Sequence, residues 1–195
     1  MKIAVVDYKG GNVQSVLFAL ERLGTSPVLT ADAEVLRSAD KVLFPGEGEA
    51  SSAMAALRAA GLDRVLPTLT QPFLGICLGM QLLGTHSDEQ DTPMLGLLPF
   101  EVKRFVPDSH HKVPHMGWNN LLQLRGPLFK GLSETDHVYF VHSYYAPVGA
   151  YTTAQAAHPA PFSAAVQHGN FHGVQFHTEK SGDVGTRILA NFLDL

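Results

Sequence analysis

Cysteine is almost missing from this chain: Cys77 is the single one among 195 residues. One thiol excludes an intrachain disulfide and fits a reducing compartment. Charge is scarce too. Asp, Glu, Lys and Arg make up 16% of the residues, against about 25% in a typical domain. That shortfall suits a large core and surface covered by a partner. No basic excess compensates: 14 Lys and Arg stand against 18 Asp and Glu, a formal charge of −4, which gives no support for nucleic-acid binding. No apolar run approaches the roughly 18 residues of a membrane span, and the opening Ile3-Ala4-Val5-Val6 is too short for a secretory signal. The phosphate-binding patterns Gly-x-x-x-x-Gly-Lys-Ser/Thr and Gly-x-Gly-x-x-Gly are absent, as are repeats and low-complexity linkers. The expectation is one α/β domain spanning 1–195, in the cytoplasm, with no membrane or nucleic-acid partner.

What is present begins as β-α-β-α-β. Residues 2–7 read as a buried strand, 8–11 as a tight loop, and 13–23 as an amphipathic helix capped by Asn12 and stopped by Gly24. A second strand at 27–30, a short helix from the cap Asp32 to Ser38, and a third strand at 41–44 follow. This order predicts a doubly wound, mostly parallel sheet with helices on both faces. Ligands of such sheets sit at the carboxyl ends of the strands. Pro45-Gly46-Glu47-Gly48 lies at one such end, where a glycine loop can turn backbone N–H groups toward an anion or simply make a β-α turn. Ser51 is expected to cap a helix at 52–60, with a shorter helix at 62–69. Beyond Leu83 the texture changes. Residues 84–95 are polar and loop-like; 98–106, 120–124, 137–141, 152–157 and 162–168 read as strands of a smaller mixed or antiparallel extension. Residues 168–171 make a hairpin turn, and a helix over 183–192 closes the chain.

The rest is organised around Pro72-Phe73-Leu74-Gly75-Ile76-Cys77-Leu78-Gly79-Met80-Gln81-Leu82-Leu83. A strand-like apolar run meets Gly-x-Cys-x-Gly and continues at helical spacing. Glycines on either side admit a sharp strand-to-helix turn, the nucleophile-elbow pattern with sulfur in place of oxygen. The turn lifts Cys77 off the sheet, and the N-terminus of the following helix favours its thiolate. Alone, such a cysteine is as readily a buried structural residue. His177 and Glu179 change the balance. They follow Gly173-Val174-Gln175-Phe176, a second strand-like run. Residues two apart in an extended segment share a side, so Glu179 reaches the ring of His177, and Cys77, His177 and Glu179 supply nucleophile, base and orienting carboxylate. Beside them the 45–48 loop fits an oxyanion hole better than a phosphate site. His110, His111 and His115 have no cysteine and no His-Glu-x-x-His with them, so no metal is expected. The dense stretch 112–120 around Trp118 reads as a site or interface loop.

These residues resemble the class I (triad) glutamine amidotransferases and, more narrowly, the glutaminase subunits of imidazole glycerol phosphate synthases from histidine biosynthesis. Gly-Ile-Cys-Leu-Gly-Met-Gln at 75–81 and His-x-Glu-Lys at 177–180 carry the wider likeness. Lys-Val-Pro-His-Met-Gly-Trp-Asn at 112–119, Tyr-Phe-Val-His-Ser-Tyr at 139–144, and Asp7-Tyr8 with Gly11-Asn12 carry the narrower one, which runs from Ile3 to Phe192. The resemblance implies an amidotransferase-like fold and hydrolysis of glutamine to glutamate and ammonia through a cysteine thioester, without a cofactor. It places oxyanion-hole N–H groups near Gly48 and Leu78, and gives Gln81, Glu89, Ser143 and Tyr144 the amino-acid end of glutamine. It implies a heterodimer with a (βα)₈-barrel cyclase subunit, which receives the ammonia through a channel and makes imidazole glycerol phosphate and AICAR. Asn12, Trp118, Tyr139 and Lys180 would face that partner. Two positions depart from the family pattern: Glu47 replaces a small apolar residue, and Thr178 replaces a proline. Other readings stand beside this one: a glutaminase subunit of another class I amidotransferase, a non-catalytic regulatory subunit, or a stand-alone cysteine hydrolase of the same fold.

Overall fold

The computed structural model describes residues 1–10 and 13–195. The first apolar run forms β1 (Ile3–Val6), with all four residues buried. It lies between β2 (Val28–Thr30) and β3 (Lys41–Gly46), parallel to both. A parallel strand covered on both faces has no polar side, which is why β1 and β3 are continuous rather than alternating in hydrophobicity. Helix α1 (Gln14–Arg22) joins β1 to β2 and buries Val16, Ala19 and Leu20, the spacing of one helix face. Its expected cap, Asn12, lies outside the described residues. Helix α2 (Ala33–Ser38) has its expected cap: an Asp32 carboxylate oxygen accepts from the N–H groups of Glu34 and Val35 at 2.8 and 3.1 Å.

Helix α3 (Ala50–Ala59) starts before the expected position, and Ser51 does not cap it. The N–H of Ala50 instead meets the carboxylate of Glu89 at 2.7 Å, a partner 39 residues away. Helix α4 (Leu62–Val65) runs into a 3₁₀ turn at Leu66–Thr68, and β4 (Phe73–Cys77) enters beside β3. Helix α5 (Leu78–Gln81) is a single turn rather than a helix reaching Leu83. The loop-like stretch after it holds two short strands, β5 (His86–Ser87) and β6 (Thr92–Pro93), with a 3₁₀ turn at Glu89–Asp91 between them. Then come β7 (Glu101–Arg104), β8 (His115–Asn120), β9 (His137–His142) and β10 (Tyr144–Tyr145). The strand expected at 120–124 is displaced: β8 ends at Asn120, and only Leu122 pairs further on, in an isolated bridge to Gln155, before Gln123 takes a positive φ. The chain closes with β11 (Thr152–Ala157), β12 (Pro161–His168), β13 (Phe171–Val174) and α6 (Gly182–Leu193).

The central sheet has the order β11-β12-β13-β4-β3-β1-β2. Five strands from β13 to β2 are parallel, and β12 and β11 add antiparallel at one edge. Two strands expected in the extension therefore belong to the main sheet. The extension itself is a small sheet, β10-β7-β5-β6, and the antiparallel ribbon β8-β9. Side chains alternate between two cores. Ile3, Val5, Leu43, Leu74 and Ile76 pack with Val16, Leu20, Ile188 and Phe192 on one face. Ala4, Val6, Val42, Phe44 and Phe73 pack with Leu36, Leu57 and Leu62 on the other. Helices cover both faces, and the parallel strand ends meet where β3, β4 and β13 stop.

Candidate functional site

Cys77 ends β4 and heads α5 with φ 55° and ψ −113°, a conformation that costs a non-glycine residue about 1–3 kcal/mol. The strain sits on the cysteine itself. The flanking glycines serve a different need from the one the motif suggested, close approach rather than unusual dihedrals. A Cβ on Gly79 would overlap the carbonyl of Phe44, and one on Gly75 would stand 2.6 Å from the carbonyl oxygen of Gly79. Helix α5 is too short for a macrodipole. What it offers the sulfur is the free N–H groups of a first turn, beginning at Leu78.

His177 and Glu179 meet as expected, by a different route. Strand β13 stops at Val174, and residues Thr178–Lys180 form a 3₁₀ turn headed by His177, which is extended. The turn brings Oε1 of Glu179 within 2.7 Å of Nδ1 of His177, with both side chains 3% exposed. Strand β9 fixes the backbone: the N–H of His177 donates to the Tyr139 carbonyl at 3.0 Å, and the N–H of Tyr139 donates to the Ser181 hydroxyl at 2.9 Å. Burial opposes a charge on His177. Its hydrogen bonds to Cys77 and Glu179, with their negative charges, outweigh that and push it up to about 10. His177 is thus held as an imidazolium beside the sulfur of Cys77.

A cavity of about 400 Å³ opens over this pair, within the roughly 300–1,000 Å³ typical of small-molecule sites. Cys77, Leu78, Gly48, Gln81, Glu89, Ser143, Tyr144 and His177 all line it, as do Glu47 and Lys180 at its rim. Gly48 has φ +101° and open space around it. Glu89 has a double placement: one oxygen caps α3, while burial raises its carboxyl, partly offset by the Ala50 N–H. Glu47 turns aside to Lys180, Oε1 to Nζ 3.2 Å, and stays 4.0 Å from His177 Nδ1. Among the candidates for a partner face, Trp118 and Tyr139 stand opposite each other across β8 and β9 with rings 5.9 Å apart. Lys180 follows His177 by three residues, and Asn12 lies outside the described residues.

Pro114, Val141 and His142 also line the cavity, and Gln175 lies behind it, fully buried, with Nε2 3.8 Å from the sulfur of Cys77. Gln175 is not among the residues expected from the sequence, although it carries the same two-residue spacing as Glu179, counted backward from His177. The three neighbouring histidines do not converge. His111 pairs with Asp108 at 2.9 Å, while His115 turns inward to His142 at 3.0 Å. Among the described residues, Glu47, His177 and Glu179 bring ligand atoms within 4.8 Å of one another. They are already engaged with Lys180 and with each other.

The fold is that of the α/β amidotransferases. A solved structure titled glutamine amidotransferase superposes with a TM-score of 0.77 at 20% identity, over 98% of this chain and 97% of that one. The chain belongs to the class-I glutamine amidotransferase family, whose model matches residues 4–195. Among its curated relatives is the imidazole glycerol phosphate synthase subunit HisH of Bacteroides thetaiotaomicron, 54% identical over the whole of both chains. Subunit HisH 2 of Legionella pneumophila is 51% identical over 99% of this chain and 98% of its own.

Proposed function

We propose that the chain is the glutaminase subunit of an imidazole glycerol phosphate synthase, working in histidine biosynthesis as one domain spanning 1–195. The observation that carries this is the continuous line from Cys77 and His177 on the wall of one cavity to Glu179 behind them. The relatives named above are subunits of that synthase, which supports the reading. In the proposed reaction His177 holds the proton of Cys77, and the sulfur attacks the side-chain carboxamide of glutamine. The C–S bond forms as the carbonyl becomes an oxyanion, met by N–H groups at Gly48 and Leu78. His177 gives its proton to the leaving nitrogen, the C–N bond breaks, and ammonia departs. Water, deprotonated by His177, cleaves the thioester and releases glutamate. Glu179 fixes the ring and stabilises its charge. Gln81, Glu89, Ser143 and Tyr144 hold the amino-acid end of the substrate.

Ammonia then passes to a (βα)₈-barrel cyclase subunit docked over Asn12, Trp118, Tyr139 and Lys180. Kept from water, it escapes protonation. No cofactor enters this scheme. A cytoplasmic setting suits it, and no helix among the described residues is long and apolar enough to cross a membrane. The loop 46–48 serves as a gate, so the isolated chain turns over glutamine slowly and the liganded partner raises the rate. The test is glutamate release from glutamine, with and without the cyclase subunit, alongside synthesis from ammonium salt. Release that depends on Cys77, with ammonium-driven synthesis intact in Cys77→Ala, supports the reading. No release under any condition points to a regulatory subunit. Full release by the chain alone, unchanged by the partner, removes the gate and favours a stand-alone hydrolase.

A further inference from the structure

A line of hydrogen bonds behind the cavity has a direction that one atom dictates. The carbonyl oxygen of Tyr144 can only accept. It takes the Nδ1–H of His142 at 2.8 Å and an N–H of Gln81 at 2.9 Å. Gln81 must therefore present its NH₂ there, and the second hydrogen of that group goes to Oε1 of Gln175 at 2.8 Å. With its oxygen committed, Gln175 has only its NH₂ to turn toward Cys77, 3.8 Å from Sγ. The side chain has no solvent to swing into, and its main-chain N–H is tied to the Ala164 carbonyl at 2.8 Å. On the other side of Tyr144, His142 has spent its hydrogen and its Nε2 accepts from His115 Nδ1 at 3.0 Å; His115 Nε2 accepts from Asn119 at 3.3 Å. The donors from Asn119, His115 and His142 run to the Tyr144 carbonyl, those from Gln81 and Gln175 run on to the sulfur, and the orientation of each amide follows from its neighbour.

An N–H aimed at sulfur favours thiolate, whereas a carbonyl oxygen in the same place favours thiol. We propose that Gln175 holds the thiolate of Cys77, its amide locked nitrogen-toward-sulfur by Gln81 and the Tyr144 carbonyl. This rests on the reading of Cys77 as nucleophile and adds a donor that keeps its place while the proton moves to and from His177. It also divides the work of Gln81. Both of its hydrogens are used inside the protein, so only its Oε1 remains to accept from a ligand. The ionisable groups that face the sulfur from other elements are His177, with Glu179 behind it, Glu47 and Tyr8; Glu89, His142 and Lys180 complete the cavity wall. None of them occupies the position of the Gln175 amide.

Cys77 is the only cysteine, so alkylation by iodoacetamide followed against pH reads its thiolate on the full chain without any turnover of glutamine. Gln175→Met, close in volume but without a donor, is expected to move the alkylation midpoint upward and to slow alkylation about ten-fold at neutral pH. Gln81→Met, which frees the amide of Gln175 to rotate, is expected to move the midpoint the same way by less. Circular dichroism and thermal unfolding identify which variants are folded, and Gln81→Met carries the test if Gln175→Met is not. A midpoint unchanged in a folded variant overturns the proposal. A wild-type midpoint at the ordinary thiol value of about 8.5 is a separate outcome: it sinks the nucleophile reading itself.

Discussion

The cavity has two walls of opposite character. One is made by the ends of β3, β4 and β13 in the central sheet, where the side chains of Cys77, Gln175, His177 and Glu179 are all buried; Cys77, Gln175 and His177 are tied to partners from distant parts of the chain, and Glu179 to His177. The other is the ribbon of β8 and β9. Its inner face buries His115 and His142, while its outer face leaves Met116 63% and Trp118 58% exposed. A two-stranded ribbon has one face to pack, and the other is ordinarily polar. Large apolar side chains held on strands in water are what a docking face would offer, and the proposed partner would cover them. Strained and charged chemistry is placed where many strands fix the backbone; the proposed docking face lies where few do.

The largest effect should come from the buried wall. Cys77→Ser and His177→Asn are each expected to lower glutamine-dependent synthesis by at least ~10³-fold, leaving ammonium-dependent synthesis by the complex intact. Glu179→Gln keeps an oxygen that can orient the ring but loses the charge, and should be about a hundredfold less damaging than loss of Cys77. Steady-state assays with the two nitrogen sources check all three. Equal loss of both activities would make Cys77 a structural residue and erase the difference between the walls.

The two walls were unequally legible in the sequence. The elbow at Cys77 is local, and local patterns survive in a string of letters; even so, the strain falls on Cys77 while Gly75 and Gly79 answer a packing need the motif does not display. Glu179 was found by spacing, although a 3₁₀ turn rather than a strand delivers it. What escaped depends on contacts across long separations. The cap of α3 comes from Glu89, 39 residues on, and β11 and β12 join the central sheet only because β13, to which the 168–171 hairpin ties them, pairs in parallel with β4 far back in the chain. Gln175 was hidden inside an apolar run because its partners, Gln81 and Cys77, lie more than ninety residues away.

The next largest effect is on stability in acid, and it weighs on two ribbon histidines, His115 and His142, with His172 of β13 as a third. Burial pushes His115 down to about 4, His142 to about 3 and His172 to about 4, from an ordinary 6.5. Folded values below the unfolded one mean the unfolded chain binds protons first. Stability is therefore intact above pH 6.5 and falls as pH drops from there toward 4, by at most about 4 kcal/mol per pH unit when all three contribute. His177, raised to about 10, acts in the other window: its contribution is full below 6.5 and is lost as pH climbs through 10. Urea unfolding at pH 7, 6 and 5 should show the acid loss, and His142→Gln should flatten the slope by about a third. An unaltered slope would mean the ribbon histidines are not what acid attacks.

Trp118→Ala probes the ribbon's outer face. Because the ring is exposed, folding stability should change by no more than about 0.5 kcal/mol. Affinity for the cyclase subunit, measured by calorimetry, should fall about thirty-fold if Trp118 is a central contact. Unchanged affinity would remove the ribbon from the docking surface and leave its apolar face unexplained.

The smallest effect is expected at Glu47, and it separates two carboxylates that flank one imidazole. Glu179 is buried and 2.7 Å from Nδ1 of His177; Glu47 is about a third exposed and 4.0 Å away. Distance and water both weaken the second interaction, and Lys180 at 3.2 Å takes up the Glu47 charge. An ion pair that open to solvent contributes about 0–1 kcal/mol. Glu47→Val should therefore leave stability within that range and change glutamine hydrolysis by no more than a few-fold in the assembled complex. Lys180→Glu should do more, since it sets two carboxylates against each other at the rim and puts like charge where the partner is proposed to dock; weaker assembly is the expected readout. If Glu47→Val instead abolished hydrolysis in a folded, assembled protein, His177 would depend on both carboxylates. The side chain that departs from the family pattern would then belong to the machinery rather than to its edge.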